Sequence, residues 1–151
     1  MTKKKITFTA PPSWDLQTAS IKNSDYVEYG WTEPLVLLQA PFTAVYNAIY
    51  KPNGIYSSDV LWSHHDIDKI NRIIEEWNTG KQLCPILFVL SGHQDVTQKG
   101  LLLLSGNHRL SVLRAFYEQQ NVDFELPFLM KESESNWIVR KIGATIIRVI
   151  P

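Results

Sequence analysis

The sequence predicts an α+β fold, a mixed sheet with flanking helices, on three observations. Short apolar runs recur at residues 35–38, 85–90 and 101–104. Between and after them, residues 66–77 and 110–117 space their apolar side chains as helices do. The composition is that of a folded protein: 151 residues, 44% hydrophobic and 20% charged, enough for one domain with a real core.

Residues 1–32 read as an irregular N-terminal extension. Pro11-Pro12 interrupts regular structure, and Trp14 and Trp31 follow no period. Residues 33–151 read as a single domain. Glu33-Pro34 leads into Leu35-Val36-Leu37-Leu38, a run suited to a buried strand. Lys51-Pro52-Asn53-Gly54 is a turn signal. In the helix that follows, Ile67, Ile70, Ile73, Ile74 and Trp77 form the apolar face. Asp66 and Asp68 favour the dipole in its first turn, and Thr79-Gly80 ends it.

Residues 85–90 are apolar throughout, which predicts a strand covered on both faces. Residues 91–99 are polar and read as the loop of a hairpin whose second strand is 101–104. Leu110, Leu113, Ala115, Phe116 and Tyr117 supply the apolar face of the next helix. Leu126, Phe128 and Leu129 mark a strand over 125–130, and residues 146–150 mark the last one.

Several function classes are disfavoured at once. The apolar run 83–90 is far too short to cross a bilayer. No apolar stretch follows Lys3, Lys4 and Lys5, so no secretory signal is expected. A single cysteine, Cys84, fits a reducing cytoplasm and reads as a small buried residue. Zero net charge, from 15 basic and 15 acidic residues, argues against broad coating of nucleic acid. The adjacent His64 and His65 point in different directions on a helix, so no metal site is expected. Core packing is the default role for Trp14, Trp31 and Trp77.

The informative stretch is Leu104-Ser105-Gly106-Asn107-His108-Arg109-Leu110. An apolar strand stops, a glycine lets the backbone turn, and a helix begins at once. The first N–H groups of a helix have no intrahelical acceptor and carry the positive end of its dipole. Gly106 has no side chain to keep a phosphate from those donors. Asn107 is a favourable N-cap residue. His108 and Arg109 add side-chain donors, and a guanidinium can take two phosphate oxygens at once.

Strand, hairpin, second apolar strand, Gly-x-His-Arg and an apolar helix together resemble the ParB/sulfiredoxin superfamily over roughly residues 50–130. The resemblance implies that Ser105, Gly106, Asn107, His108 and Arg109 bind nucleotide phosphates of ATP or CTP. It matches Lys69 to a basic residue that helps hold those phosphates, and it implies Mg2+ bound with the nucleotide. Free serine kinases of the superfamily use a glutamate base, and Glu33 is the nearest candidate by location. His108 and Glu33 are therefore the candidate catalytic residues. Sulfiredoxin places its catalytic cysteine where this chain has Asn107. An amide cannot form the thiolate-derived intermediate, so sulfinic acid reduction is not expected. With only residues 131–151 after the resembling stretch, the DNA-reading domain that follows in the partition proteins is not expected.

Three functions are consistent with these residues. The leading one is nucleoside triphosphate hydrolysis or phosphotransfer by a small cytoplasmic protein. The second is a ParB-like nuclease acting on plasmid or phage DNA. The third is a catalytically silent module that binds a protein partner.

Overall fold

The computed structural model describes residues 7–17, 33–50, 67–91 and 99–150, with residues 105 and 107 described by backbone alone. The turn at residues 51–54, His64, His65, Asp66, Trp31 and the hairpin loop at 92–98 lie outside the described residues.

The fold is α+β, built on one mixed five-stranded sheet. In chain order the elements are β1 (Leu35–Pro41), α1 (Phe42–Asn47), α2 (Ile67–Asn78), β2 (Ile86–Leu90), β3 (Leu101–Ser105), α3 (Asn107–Gln120), β4 (Glu125–Lys131), α4 (Glu132–Ile142) and β5 (Thr145–Ile150). Across the sheet the strands run β3-β2-β4-β1-β5. The β2–β4 pair is parallel and the other three are antiparallel. None of the described helices is long and apolar enough to cross a membrane.

Strand alternation divides the buried side chains between two clusters. Val36, Leu38 and Ala40 of β1, Ile86 and Phe88 of β2, and Leu126, Phe128 and Met130 of β4 join the main core with residues from all four described helices. Leu37, Leu87 and Leu129 point the other way, into a smaller cluster with Ile150 and the half-buried Leu16, Leu35 and Leu104. The register sets Ser105, Leu87, Leu129, Leu37 and Arg148 in one row across the sheet. Pro127 is tolerated in central β4 because pairing with β2 begins only at Phe128.

Helix α2 buries Ile70, Ile73 and Trp77 as its spacing predicts, whereas Ile67 at its first position is exposed, and Gly80 after the helix adopts φ 87°. Two helices have no counterpart in the sequence reading. Short α1 buries Phe42 and Val45 just after β1. Helix α4 carries Glu132 and Glu134 in its first turn, Arg140 and Lys141 in its last, and left-handed Gly143 beyond. That charge order complements the helix dipole.

Residues 7–17 are irregular apart from a single bridge, Trp14 with Leu83, but they are bound tightly to the domain. The Phe8 ring meets Trp77 at 4.9 Å and Phe116 at 5.2 Å between centroids. Trp77 Nε1 donates to the Ala10 carbonyl at 2.7 Å, and Trp14 packs against the main core.

Residues 48–50 lie along the outer side of β3. Leu101 N–H donates to the Ala48 carbonyl and Tyr50 N–H to the Leu101 carbonyl, at 2.9 and 2.8 Å. This approach requires a glycine at position 100, where a Cβ would stand 2.8 Å from the Tyr50 nitrogen and 2.9 Å from its Cα. Backbone cannot yield as a flexible side chain can. Gly100→Ala should therefore lower the unfolding free energy by about 1–3 kcal/mol, as overpacked sites do. Urea denaturation checks this, and an unchanged midpoint would show that residues 48–50 can move away at no cost.

Candidate functional site

β3 ends at Ser105 and α3 starts at Asn107, with Gly106 alone between them. Gly106 adopts φ 108° and ψ 25°, a left-handed conformation costly for residues with a Cβ. Its carbonyl accepts the first helical hydrogen bond, from Leu110 N–H at 2.8 Å. Gly106 is thus the N-cap and Asn107 the first helical residue, a correction to the capping role expected of Asn107. The physical reason is the turn: reversing from β3 into α3 in one residue needs a positive φ, which glycine supplies most readily. The amides of Asn107, His108 and Arg109 then open the helix with no acceptor inside it.

The space around Gly106 is closed on two sides. A Cβ there would meet Ile86 Cγ1 at 3.1 Å and Arg109 Nη2 at 3.0 Å. The Arg109 side chain therefore folds back beside the glycine instead of extending into solvent. Its Nη1 donates to the carbonyl of Cys84, just ahead of β2. Arg109 and His108 are both half-buried. The guanidinium thus lies next to the opening turn of α3, where an anion drawn to the helix start would meet it.

The other expected site residues are placed differently. Lys69 is exposed in the first turn of α2, the helix that packs on α3. Glu33 lies ahead of β1 and accepts a hydrogen bond from Ser133 Oγ at 2.8 Å. The register puts Gly106 one step beyond the row of Leu37, while Glu33 lies four residues before Leu37 and three strands across. Strand rise and spacing then separate Glu33 from Gly106 by on the order of 20 Å. The fold brings Ser105 to Arg109 together and does not bring Glu33 to them.

A cavity of about 460 Å³ opens between Phe8, Pro11, Phe116, Gln120, Val122 and Phe124. These residues sit at the far end of α3, roughly 15–20 Å from Gly106 at the helical rise. The cavity is thus separate from the turn. Among the described residues no three His, Cys, Asp or Glu side chains gather as metal ligands would. The thiol of Cys84 is free and half-buried, and its main-chain carbonyl is what the turn uses. A carbonyl acceptor has no signature in sequence, so only the structure reveals that tie.

No family model, curated protein or solved structure matches the chain.

Gly106→Ala should destabilise the fold by about 1–3 kcal/mol, combining left-handed strain with contact against Ile86 and Arg109. Thermal and urea unfolding measure it. Equal stability of the two proteins would mean that the β3–α3 turn relaxes without needing glycine.

Proposed function

We propose that the β3–α3 turn binds the phosphates of a nucleotide of ATP or CTP type. The observation that carries this reading is the left-handed Gly106, with the Arg109 guanidinium folded beside it at the start of a 14-residue helix. A glycine before a helix start lets an anion approach backbone N–H groups, and a guanidinium adds charge and two-point geometry. The order of hairpin, turn and helix is also what the resemblance to the ParB/sulfiredoxin superfamily calls for. Under that reading Ser105, Gly106, Asn107, His108 and Arg109 hold phosphate. Lys69 approaches the same anion from α2, and Mg2+ enters with the triphosphate, held mainly by its oxygens. His108 is the acid–base candidate for hydrolysis or phosphotransfer in a cytoplasmic protein.

The distance of Glu33 from the turn favours a second reading, in which the module binds oligophosphate without turnover. A nuclease acting on DNA has less support, because the chain carries no excess of positive charge.

Calorimetric titration with ATP and CTP tests the proposal. Arg109→Ala should weaken binding by about 1.5–3 kcal/mol, the range for hydrogen bonds to charged groups. Circular dichroism should show the fold retained. Unchanged affinity would leave Arg109 with a structural role, which includes its tie to the Cys84 carbonyl. Lys69→Ala should weaken ATP more than ADP and ADP more than AMP, since the neutralised charge shrinks in that order. Equal losses for all three, or none, would remove Lys69 from the site.

A further inference from the structure

Three phenylalanines meet where the N-terminal segment reaches the end of α3. Phe116 lies near the end of that helix, Phe124 just beyond it, and Phe8 in the segment 7–17. Phe116 stands nearly at right angles to both others, 85° to Phe8 and 72° to Phe124, with ring centroids 5.2 and 5.7 Å away. Buried rings hold these walls from behind. Trp77 lies against Phe8 and Phe116, and Phe42 stacks on Phe124 at 5.0 Å. The three phenylalanines are themselves only half-buried, and all three line the cavity of about 460 Å³. That volume falls within the usual range for small-molecule sites, roughly 300–1,000 Å³.

The charge in this cavity has one sign. Asp123 lines it, and none of the described residues around it is basic. The cavity also opens beside Gln120, the last residue of α3, and the last turn of that helix carries no basic residue. A helix end of that kind leaves the negative pole of its dipole uncompensated. The faces of aromatic rings are negative as well. Rings, carboxylate and helix end therefore all favour a cation.

The kind of cation follows from how Asp123 is already used. Its Oδ1 accepts from the N–H groups of Thr43 at 3.2 Å and Phe124 at 2.9 Å, and its Oδ2 accepts from Thr43 Oγ1. These bonds take most of the acceptor sites that a carboxylate has. A primary ammonium brings donors that must be satisfied as it leaves water. A nitrogen fully substituted with alkyl groups brings none, and needs only negative charge and ring faces.

We propose that the cavity binds a small organic cation with a quaternary ammonium head. The head lies among Phe8, Phe116 and Phe124, with the Asp123 carboxylate and the end of α3 beside it. The cavity is longer than such a head, and Ala10, Pro11 and Val122 offer apolar surface to a chain attached to the nitrogen. This site does not depend on the phosphate reading of the β3–α3 turn, which lies at the other end of the helix.

Titrating the full chain with choline, and separately with its uncharged analogue carrying carbon in place of nitrogen, tests this. In proton spectra the choline methyl signal should move upfield, because the methyl groups sit over ring faces. Choline should bind about tenfold or more tightly than the carbon analogue, the part that charge over desolvated rings contributes. Ethanolamine, with a primary ammonium, should bind more weakly than choline. Asp123→Asn keeps an oxygen for the Thr43 N–H and should weaken choline about threefold or more, leaving the carbon analogue unaffected. Phe8→Leu, outside the sheet and helices, should weaken choline more than the carbon analogue. Equal affinity for choline and its carbon analogue would overturn the proposal, since the cavity would then be merely apolar. So would tighter binding of ethanolamine, a choline affinity untouched by both variants, or a methyl signal that does not move.

Discussion

The left-handed backbone at Gly106 is the constraint on which the candidate site depends. β3 must hand over to α3 within one residue, because Ser105 still pairs with Leu87 and Leu110 already donates to Gly106. A reversal that short needs positive φ. Once made, it aims the start of α3 outward and lays the helix's buried residues, Leu110, Val112, Leu113 and Ala115, into the main core. It also leaves room for the Arg109 guanidinium beside the glycine and within reach of the Cys84 carbonyl. The same residue thus sets sheet, helix and site in relation to one another.

The sheet around this turn has two unequal faces and two unequal edges. All four described helices contribute to the core on one face, where Phe88 and Phe128 meet edge-on at 5.9 Å. On the other face the row of Leu87, Leu129 and Leu37 packs with Ile150, Leu16, Leu35 and Leu104 and leads to Arg148. One edge is joined by residues 48–50, and at the other, among the described residues, β5 pairs with β1 alone. The turn follows β3 at one end of the strand order and Arg148 lies on β5 at the other, about four strand spacings apart, or roughly 19 Å.

Much of the fold was legible because burial writes itself into spacing. Residues 85–90 are apolar without alternation, and β2 indeed buries Ile86 and Phe88 on one side and Leu87 on the other. Ile70, Ile73 and Trp77 marked the inner face of α2 for the same reason. Helix α4 carries Glu132, Glu134, Arg140, Lys141 and Gly143, all helix signals, but its first five residues are polar and its apolar residues begin only at Trp137, which leaves too short a stretch to display a period. Helix α1 has only six residues, too few to display a period. The turn at Gly106 was legible from a glycine between a strand and a helix. Its capping residue was not, since Asn107 has the better side chain and Gly106 the needed φ. The separation of Glu33 from the turn depends on strand order, which spacing along the chain does not contain. The burial of Nε and Nη2 of Arg148 was invisible for a related reason: between Ile147 and Val149 the residue reads as the solvated position of a strand.

What remains is whether the turn meets a phosphate. Amide resonances report on this directly, because an anion at a helix start polarises the backbone N–H groups it touches. A nitrogen–proton correlation titration of the full chain with ATP and Mg2+ should shift the amides of Gly106, Asn107, His108 and Arg109 first and furthest, with those at the far end of α3 unmoved. Shifts centred elsewhere, such as around Phe8 and Phe124, or no shifts at all, would contradict the account.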